Sequence, residues 1–210
     1  MDVIYKDSDI AVIVKPVGLI SEDGAEGESI IPVIKKELLA KEVYPIHRLD
    51  RNVGGTMVYA LNKKSAAVLS AAVQCDGVEK TYLAVVHGRP SEENGVFEDL
   101  LFKDSRKNKS FVVTRERKGV KRASLEYSVL GTKEEKTLVR ILLHTGRSHQ
   151  IRVQFSSRRM PLVGDGKYGA PSNEKEIYLF SHKLEFEHPK SKEKMEFSAL
   201  PLWDSWKEFF

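Results

Sequence analysis

The order of apolar segments constrains the fold of this chain more than any other feature of its 210 residues. Short stretches rich in β-branched and aromatic residues recur, and few of them are separated by segments with helical spacing. We predict strands at 2–5, 9–15, 56–61, 80–87, 110–114, 123–130, 136–143, 177–186 and 194–198. Strands that follow one another without helices pair mostly antiparallel. The pattern therefore predicts an α+β fold, with a mixed, mostly antiparallel sheet and flanking helices.

Helical periodicity is confined to a few segments. We predict helices over 28–40, 63–74 and 149–157, the last with Ser148 as its N-cap. Pro201 opens a predicted final helix that holds Trp203, Trp206 and Phe209. Because the chain has no internal repeat, linker or low-complexity tract, we expect a single domain over residues 1–210.

The composition is that of a globular protein, with 41% hydrophobic and 30% charged residues. Cys75 is the single cysteine, which excludes an internal disulfide framework and a multi-cysteine metal site. The six histidines are scattered, and none forms a helical pair with a carboxylate, so we expect no metal. The chain shows neither a signal-peptide pattern nor an apolar run of membrane-spanning length. We therefore expect a cytoplasmic protein with no membrane partner.

The densest group of chemically active side chains lies within residues 45–55. His47, Arg48, Asp50 and Arg51 fall within five positions, and two glycines follow at 54–55. Asp50 is the only acid there, and nearby positive charge favours its ionised form. A permanently charged carboxylate suits a nucleophile better than a general acid. The alternative is a surface ion-pair cluster, and this segment alone does not decide between the two.

Residues 47–51, with the sequence His-Arg-Leu-Asp-Arg, resemble the signature of the RluA-type pseudouridine synthases, which isomerise uridine to pseudouridine within RNA. Further segments resemble the same family in the same order: Val-Lys-Pro-Val-Gly-Leu at 14–19, Lys-Thr-Tyr-Leu-Ala-Val-Val at 80–86, Thr-Gly-Arg-Ser-His-Gln-Ile-Arg-Val at 145–153 and, more weakly, His-Lys-Leu-Glu-Phe at 182–186. The chain departs from the family at Asn-Val-Gly-Gly, residues 52–55, where Asp-Thr-Ser-Gly is more usual, and at Gln154, where His is common.

The resemblance implies the pseudouridine synthase fold, with the active site in a cleft across the sheet. It also implies that Asp50 is the nucleophile, or the group that starts the rearrangement. The isomerisation involves no redox change and no group transfer, so no cofactor is expected. Many family members carry a small RNA-binding domain before the catalytic one. Because the first motif begins at Val14, we expect no such N-terminal domain here.

Two further catalytic residues follow from the resemblance. Arg152 corresponds to the basic residue that pairs with the catalytic aspartate; otherwise it would be a charge on a helix surface. Tyr82 is expected to stack on the target base; without the family it would be read as a core tyrosine. His47 is more consistent with a packed residue that supports the loop than with a base.

Several residues are candidates for RNA binding. By resemblance, Arg48 occupies the space that the extruded uridine leaves, because a guanidinium can stack between bases. Arg51 belongs to the same motif. Arg147 and His149 are expected to contact phosphate or to brace the loop near a helix N-terminus. Lys80 either contacts the RNA backbone or is a surface charge at a strand end.

Basic charge is concentrated between residues 102 and 122. Nine basic residues stand against two acidic ones, a local net charge of +7, whereas the whole chain carries +4. We expect this segment to contact RNA, chiefly through Arg115, Arg117, Lys118, Lys121 and Arg122. The alternative is a solvated hairpin with exposed lysines.

The sequence therefore predicts a monomeric, stand-alone RluA-type pseudouridine synthase that acts on transfer or ribosomal RNA. Two other classes compete with this interpretation. A catalytically idle RNA-binding module would not need the set of Asp50, Tyr82 and Arg152. A hydrolytic glycosidase usually needs a second carboxylate as general acid, and none is evident in the motifs.

Overall fold

A computed structural model describes residues 1–24, 27–171, 174, 176–202 and 204–209. Contacts divide the chain into two compact units, the first formed by Met1–Lys80 and Phe180–Pro201, the second by Thr81–Leu179 and Leu202–Phe210. The strands are β1 (Asp2–Lys6), β2 (Ile10–Lys15), β3 (Tyr44–Pro45), β4 (Gly54–Ala60), β5 (Val78–His87), β6 (Asn94–Asp104), β7 (Lys109–Val113), β8 (Val120–Lys133), β9 (Lys136–Leu143), β10 (Leu179–Glu187) and β11 (Lys194–Ser198). The helices are α1 (Ile31–Leu38), α2 (Lys63–Gln74) and α3 (Gln150–Ser157), with 3-10 turns at Gly166–Tyr168 and Asp204–Phe209.

The first unit contains a sheet in the order β1-β2-β4-β10, in which β11 also pairs with β10 and β3 pairs with β4. Strands β4 and β10 pair in parallel through Gly54–Phe180 and Gly55–Ser181, and the other pairings within this unit are antiparallel. Gly55 has a φ of +124°, and a Cβ there would lie 2.3 Å from the Ser181 carbonyl oxygen. Only glycine fits this close approach of the two backbones.

The core of the first unit lies between this sheet and helix α2. The helix starts where the Asn62 side chain accepts a hydrogen bond from the Ser65 backbone N–H at 2.9 Å, as an N-cap does. Its buried Leu69 packs in a cluster with residues of β2, β4 and β10: Ile10, Val12, Val58, Ala60, Leu184 and Phe186. These contacts hold β4, and therefore the loop before it, in place.

The second unit contains an antiparallel sheet in the order β5-β9-β8-β6-β7. Helix α3 packs on one face of it, where Val153 contacts Leu101 of β6 and Ala123 of β8. Phe155 of the helix lies edge-on to Phe97, with ring centroids 5.0 Å apart. The packing therefore fixes α3, which carries Arg152, against β6 and β8.

The predicted α+β class with a mixed, mostly antiparallel sheet is confirmed, and helix α2 has the predicted bounds. Several predictions were wrong in detail. The predicted final helix is a 3-10 turn at Asp204–Phe209. The 11-residue strand β6 was not predicted. Helix α1 is shorter than predicted. Ser148 is not the N-cap of α3, since His149 takes that position with a left-handed φ of 53°. Trp203 lies outside the described residues.

Candidate active site

Asp50 lies half-buried in the loop between β3 and β4. Ser21 holds the loop in place, because its hydroxyl donates to the Leu49 carbonyl and accepts from the Leu49 backbone N–H, each at 3.0 Å. The Val53 N–H donates to the Asp50 carbonyl at 3.0 Å, which closes the turn after the carboxylate. The backbone on both sides of Asp50 is thus fixed by hydrogen bonds, as a precisely oriented carboxylate requires.

Lys15 is a cationic neighbour of Asp50. Its side chain has no exposed surface, and its ammonium donates to the carbonyls of Pro16 at 2.9 Å and Leu19 at 2.8 Å. Burial lowers the pKa of Lys15 to about 8, and the charge of Asp50 opposes that shift. Lys15 therefore remains mostly protonated at neutral pH, and its buried ammonium is a positive charge that interacts with Asp50.

The two arginines that flank Asp50 in the sequence have partners of their own. Arg48 forms an ion pair with Glu22 at 2.5 Å, and its side chain is 70% exposed. The Arg51 Nε donates to the Gly18 carbonyl at 2.9 Å, which ties the first family motif to the second. An exposed guanidinium at Arg48 is accessible to RNA; its insertion into the space left by a flipped base stays a prediction.

His47 is hydrogen-bonded to strand β4, as expected of a packed residue; its role in support of the loop stays a prediction. Its Nε2 accepts from the Val58 backbone N–H at 3.3 Å, so the proton of the neutral ring sits on Nδ1. That Nδ1 is buried and has no hydrogen-bond partner among the described residues. Burial, assisted by the charge of Lys80, lowers the pKa of His47 to about 3. The ring is therefore neutral throughout the physiological pH range.

The buried, neutral His47 should make the stability of the protein fall in acid. Its folded-state pKa lies below the usual 6.5, so the unfolded chain binds the proton more readily and stability is lost as pH falls from about 6.5 towards about 3. In His47→Gln the amide oxygen can still accept from Val58 but does not titrate. We expect the free energy of unfolding of this variant, measured by urea titration between pH 7 and pH 4, to fall less than that of the parent. Parallel curves would contradict this assignment.

Lys80 lies at the first-unit end of β5. Its side chain is only 8% exposed, and burial lowers its pKa, opposed by the charge of Asp76. The alternative that Lys80 is a surface charge is therefore wrong. Contact of this residue with the RNA backbone stays a prediction.

Arg152 lies on α3 in the second unit and is 6% exposed, so the alternative of a helix-surface charge is wrong. Its Nε and Nη2 donate to the two carboxylate oxygens of Asp165 at 2.6 and 2.9 Å. The guanidinium also lies over the Tyr168 ring, 5.1 Å from its centroid. A guanidinium has five N–H donors and can serve two carboxylates at once. The predicted pairing of Arg152 with Asp50 stays a prediction.

Asp165, which lies between two glycines at 164 and 166, was not identified from the sequence. Its carboxylate is 1% exposed and is held at the start of a 3-10 turn. Gly164 before it has a φ of +77°, and a Cβ there would collide with the Glu176 carbonyl oxygen at 1.8 Å. An Asp between two glycines carries no local signal of an ion pair 13 residues away.

Tyr168 organises the N-terminal end of α3. Its hydroxyl accepts from the Ser110 backbone N–H at 2.8 Å and lies 2.9 Å from the His149 Nδ1. Arg147 braces the same region, because its Nε donates to the Arg122 carbonyl at 2.9 Å. Of the two roles expected for Arg147 and His149, these contacts are those of residues that brace the loop.

Tyr82 lies in β5, opposite Ile141 of β9, and is 6% exposed. The structure thus places Tyr82 with Arg152 in the second unit and Asp50 in the first. The expected cleft, and the roles of Tyr82 in it, stay predictions.

The basic segment, in the second unit, comprises the end of β6, strand β7, the loop after it and the start of β8. All five residues expected to contact RNA are exposed: Arg115, Arg117, Lys118, Lys121 and Arg122. Arg122 forms an ion pair with Glu116 at 3.0 Å. The Arg117 guanidinium lies 4.6 Å from the centroid of the Phe102 ring. The other exposed cations of this segment can contact an anionic partner.

One group of potential metal ligands occurs in the described part of the chain: Asp7, Asp9 and His188. The His188 Nδ1 accepts from the backbone N–H groups of Lys190 and Ser191 at 3.3 and 3.0 Å. Its Nε2 therefore carries the proton and donates to Asp7 at 2.9 Å. The arrangement is a hydrogen bond between two turns of the first unit. Among the described helices, none has the length and apolar character needed to cross a membrane.

Known proteins of one family match this chain over most of its length. A family model described as RNA pseudouridylate synthase matches residues 9–157. The tRNA pseudouridine synthase C of Haemophilus ducreyi is 28% identical over 231 residues, covering 100% of this chain and 94% of that protein. The ribosomal large subunit pseudouridine synthase D of Borreliella burgdorferi is 29% identical over 213 residues, covering 95% of this chain and 65% of that protein. This chain spans about two thirds of the length of several curated relatives.

The fold has a close counterpart among solved structures. The human protein named RNA pseudouridylate synthase domain containing 4 superposes with a TM-score of 0.80, at 24% identity, over 96% of this chain and 89% of that one. The matched family segment contains the Asp50 loop, Tyr82, the basic segment and Arg152.

Proposed function

This chain belongs to the RNA pseudouridylate synthase family, and on that premise we propose that it converts specific uridines of structured RNA to pseudouridine with Asp50 as the nucleophile. The observation that carries the proposal is the Asp50 loop. Its backbone is held by Ser21, and the buried ammonium of Lys15 supplies a positive charge that interacts with the carboxylate. An ionised, oriented carboxylate is what a nucleophilic role demands.

The reaction breaks the bond between uracil N1 and the ribose C1′ and forms a bond from the same C1′ to C5 of the base. The proton on C5 leaves and N1 gains one, so no atom or electron is supplied from outside. Asp50 can start this rearrangement by attack on the sugar, by addition to the base or by promoting elimination from the sugar.

In this proposal Arg152 fixes the carboxylate of Asp50. Support comes from its burial and from Asp165, which already holds the guanidinium through two hydrogen bonds. A guanidinium so oriented is preorganised to bind a second carboxylate on another edge. Tyr82 stacks on the extruded uracil, and Arg48, whose side chain is exposed, takes the space that the base leaves.

The substrate is transfer or ribosomal RNA, since relatives named for each occur. Mapping pseudouridines in total RNA from cells with and without the gene tests the proposal and identifies the RNA. We expect one or more sites to disappear with the gene and to return with the parent gene but not with the Asp50→Asn gene. An unchanged map would contradict the proposed activity.

Neutralising cations of the basic segment should weaken RNA binding and reduce the dependence of that binding on salt. Each phosphate contact contributes a log–log salt slope of roughly −0.7 to −0.9. In a variant with Arg117, Lys118 and Lys121 all replaced by Gln, we expect lower affinity and a slope flatter by roughly two, while turnover at saturating RNA is not abolished. The measurement is affinity for a cognate RNA across a salt series. A matched control replaces three exposed cations of the first unit, Lys35, Lys36 and Lys41. Equal slopes and affinities for parent and variant would show that the basic segment is only a solvated hairpin.

A further inference from the structure

Strands β6, β7 and β8 present two different faces. Side chains alternate between the faces of a sheet, and the face that carries Leu101 and Ala123 packs against α3. The opposite face carries Leu100 and Phe102 of β6 and their direct cross-strand partners. This face, which we call the outer face, has the apolar side chains of a packing surface but is partly exposed to solvent.

The outer face is built from rows of cross-strand neighbours. Phe102 lies between Phe111 of β7 and Val120 of β8. The next row contains Val113, Leu100 and Arg122. Phe111 is 37% exposed and Val96, farther along the same face of β6, is 58% exposed. Two aromatic rings thus lie side by side at the surface of the second unit.

Cations accompany both rings. The Arg117 guanidinium lies 4.6 Å from the centroid of Phe102, and the Lys109 ammonium lies 5.8 Å from the centroid of Phe111. The surrounding segment, residues 102–122, carries the local net charge of +7 described above. Aromatic side chains within a cationic surface are the combination that binds single-stranded nucleic acid, through base stacking and phosphate attraction together.

A cavity of about 350 Å³ opens on the outer face beside the aromatic row. Its walls include Glu98, Leu100, Glu116, Arg122, Ser124 and Thr145. The volume is near the lower end of the range for small-molecule sites, roughly 300–1,000 Å³. Carboxylates at the rim repel a phosphate but accept hydrogen bonds from an exocyclic amino group of a base. Leu100 supplies an apolar wall for the ring.

We propose that the outer face is a binding surface for unpaired RNA nucleotides outside the target uridine. Phe111 and the Phe102–Arg117 pair supply stacking surfaces, and the cavity takes one base that carries an amino group, of which cytosine is the smallest. The proposal rests on the proposed function and extends it, because it requires that substrates have single-stranded nucleotides next to the modified site. A double helix, whose bases are already stacked on one another, does not fit this surface.

The test compares Phe111→Ala with the parent in binding a 12-nucleotide oligocytidylate, the corresponding oligouridylate and an RNA duplex of the same length. Loss of one base–aromatic stack is expected to weaken oligocytidylate binding about five- to 100-fold. The slope of affinity against salt is expected to stay the same, because no charge is removed. Duplex affinity is expected to change less than twofold, a change on the order of measurement error.

Leu130→Ala is the matched control, since Leu130 is an exposed apolar side chain of the same unit at the other end of β8; it should bind all three RNAs like the parent. Phe111→Leu separates stacking from apolar contact and should resemble Phe111→Ala. Three outcomes would overturn the proposal: unchanged oligocytidylate binding in Phe111→Ala, equal weakening for the duplex, or dimerisation of the parent that Phe111→Ala abolishes. The last result would mean that a second copy of the chain covers this face.

Glu98→Gln tests the cavity separately. The parent is expected to bind oligocytidylate more tightly than oligouridylate. The variant is expected to lose most of that preference, because a side-chain amide has one acceptor oxygen whereas the carboxylate has two. Equal binding of the two oligomers by the parent would overturn this part. Pseudouridine formation by the parent on cellular RNA is measured alongside. If it occurs while Phe111→Ala binds normally, only the surface proposal fails; if it does not occur, the proposed function fails.

Discussion

Asp50→Asn is expected to abolish pseudouridine formation while RNA binding is retained. The amide has almost the shape of the carboxylate but neither its charge nor its nucleophilicity. The hydrogen bonds that hold the loop involve the Ser21 hydroxyl and backbone atoms, so they survive the change. The measurement is pseudouridine per RNA after prolonged incubation, with affinity for the same RNA measured in parallel.

The matched control is Asp2→Asn, which removes one negative charge from an exposed position on β1 of the same unit. It should turn over like the parent. Asn can deamidate back to Asp, so mass spectrometry of the variant before and after the assay is needed. Substantial turnover by intact Asp50→Asn would exclude Asp50 as the nucleophile.

Replacement of Arg152 is expected to cause the second largest loss of pseudouridine formation. Arg152→Lys keeps a positive charge but cannot form two parallel hydrogen bonds with Asp165. A small displacement of a catalytic group costs on the order of 100-fold in rate, and we expect a loss of at least that size with RNA affinity nearly unchanged. Arg152→Ala should lose both activity and stability, because it leaves the Asp165 carboxylate buried and unpaired, a change that costs about 3–5 kcal/mol.

Arg147 provides the comparison, because its contact is with the Arg122 carbonyl on the exposed side of the loop. Arg147→Ala should retain most of the catalytic rate at saturating RNA. Urea titrations of all three variants separate a loss of fold from a loss of chemistry. If Arg152→Lys turns over normally while Arg147→Ala does not, the wrong arginine has been assigned to the catalytic aspartate.

Local signals in the sequence were sufficient for the fold class and for α2. The Asn62 cap and the alternation of buried and exposed positions in α2 depend on residues close in sequence. Strand β6 was not predicted, and the reason is physical. Its outer face carries Val96, Leu100 and Phe102, so apolar side chains occur on both faces and the alternation that marks a half-buried strand is lost.

The start of α3 and its ion pair depend on contacts between distant residues. His149 takes a left-handed conformation next to the Tyr168 hydroxyl, 19 residues later, and the Ser148 carbonyl accepts from the Ser110 hydroxyl, 38 residues earlier. No local preference for Ser as an N-cap could reveal either contact. Asp165 was missed for the same reason, since charged side chains are expected at the surface unless a partner is known.

The motifs selected candidate site residues but gave no information on the groups that surround them. Asp50, Arg152 and Tyr82 were selected by resemblance, and the structure adds groups that orient the first two. These are Ser21 and Lys15 in the first unit, and Asp165 and Tyr168 in the second. Such supporting residues are recognisable only when burial and hydrogen bonds are known.

The most direct test of the proposed activity follows the hydrogen on C5 of uridine. Isomerisation joins C5 to the ribose, so RNA that contains uridine labelled with tritium at C5 should release one tritium to water for each pseudouridine formed. We expect the purified parent protein, without added cofactor, to release tritium from such RNA and to leave the chain intact with no free uracil. Absence of tritium release from total cellular RNA that lacks the modification, or release of free uracil in its place, would contradict the assignment.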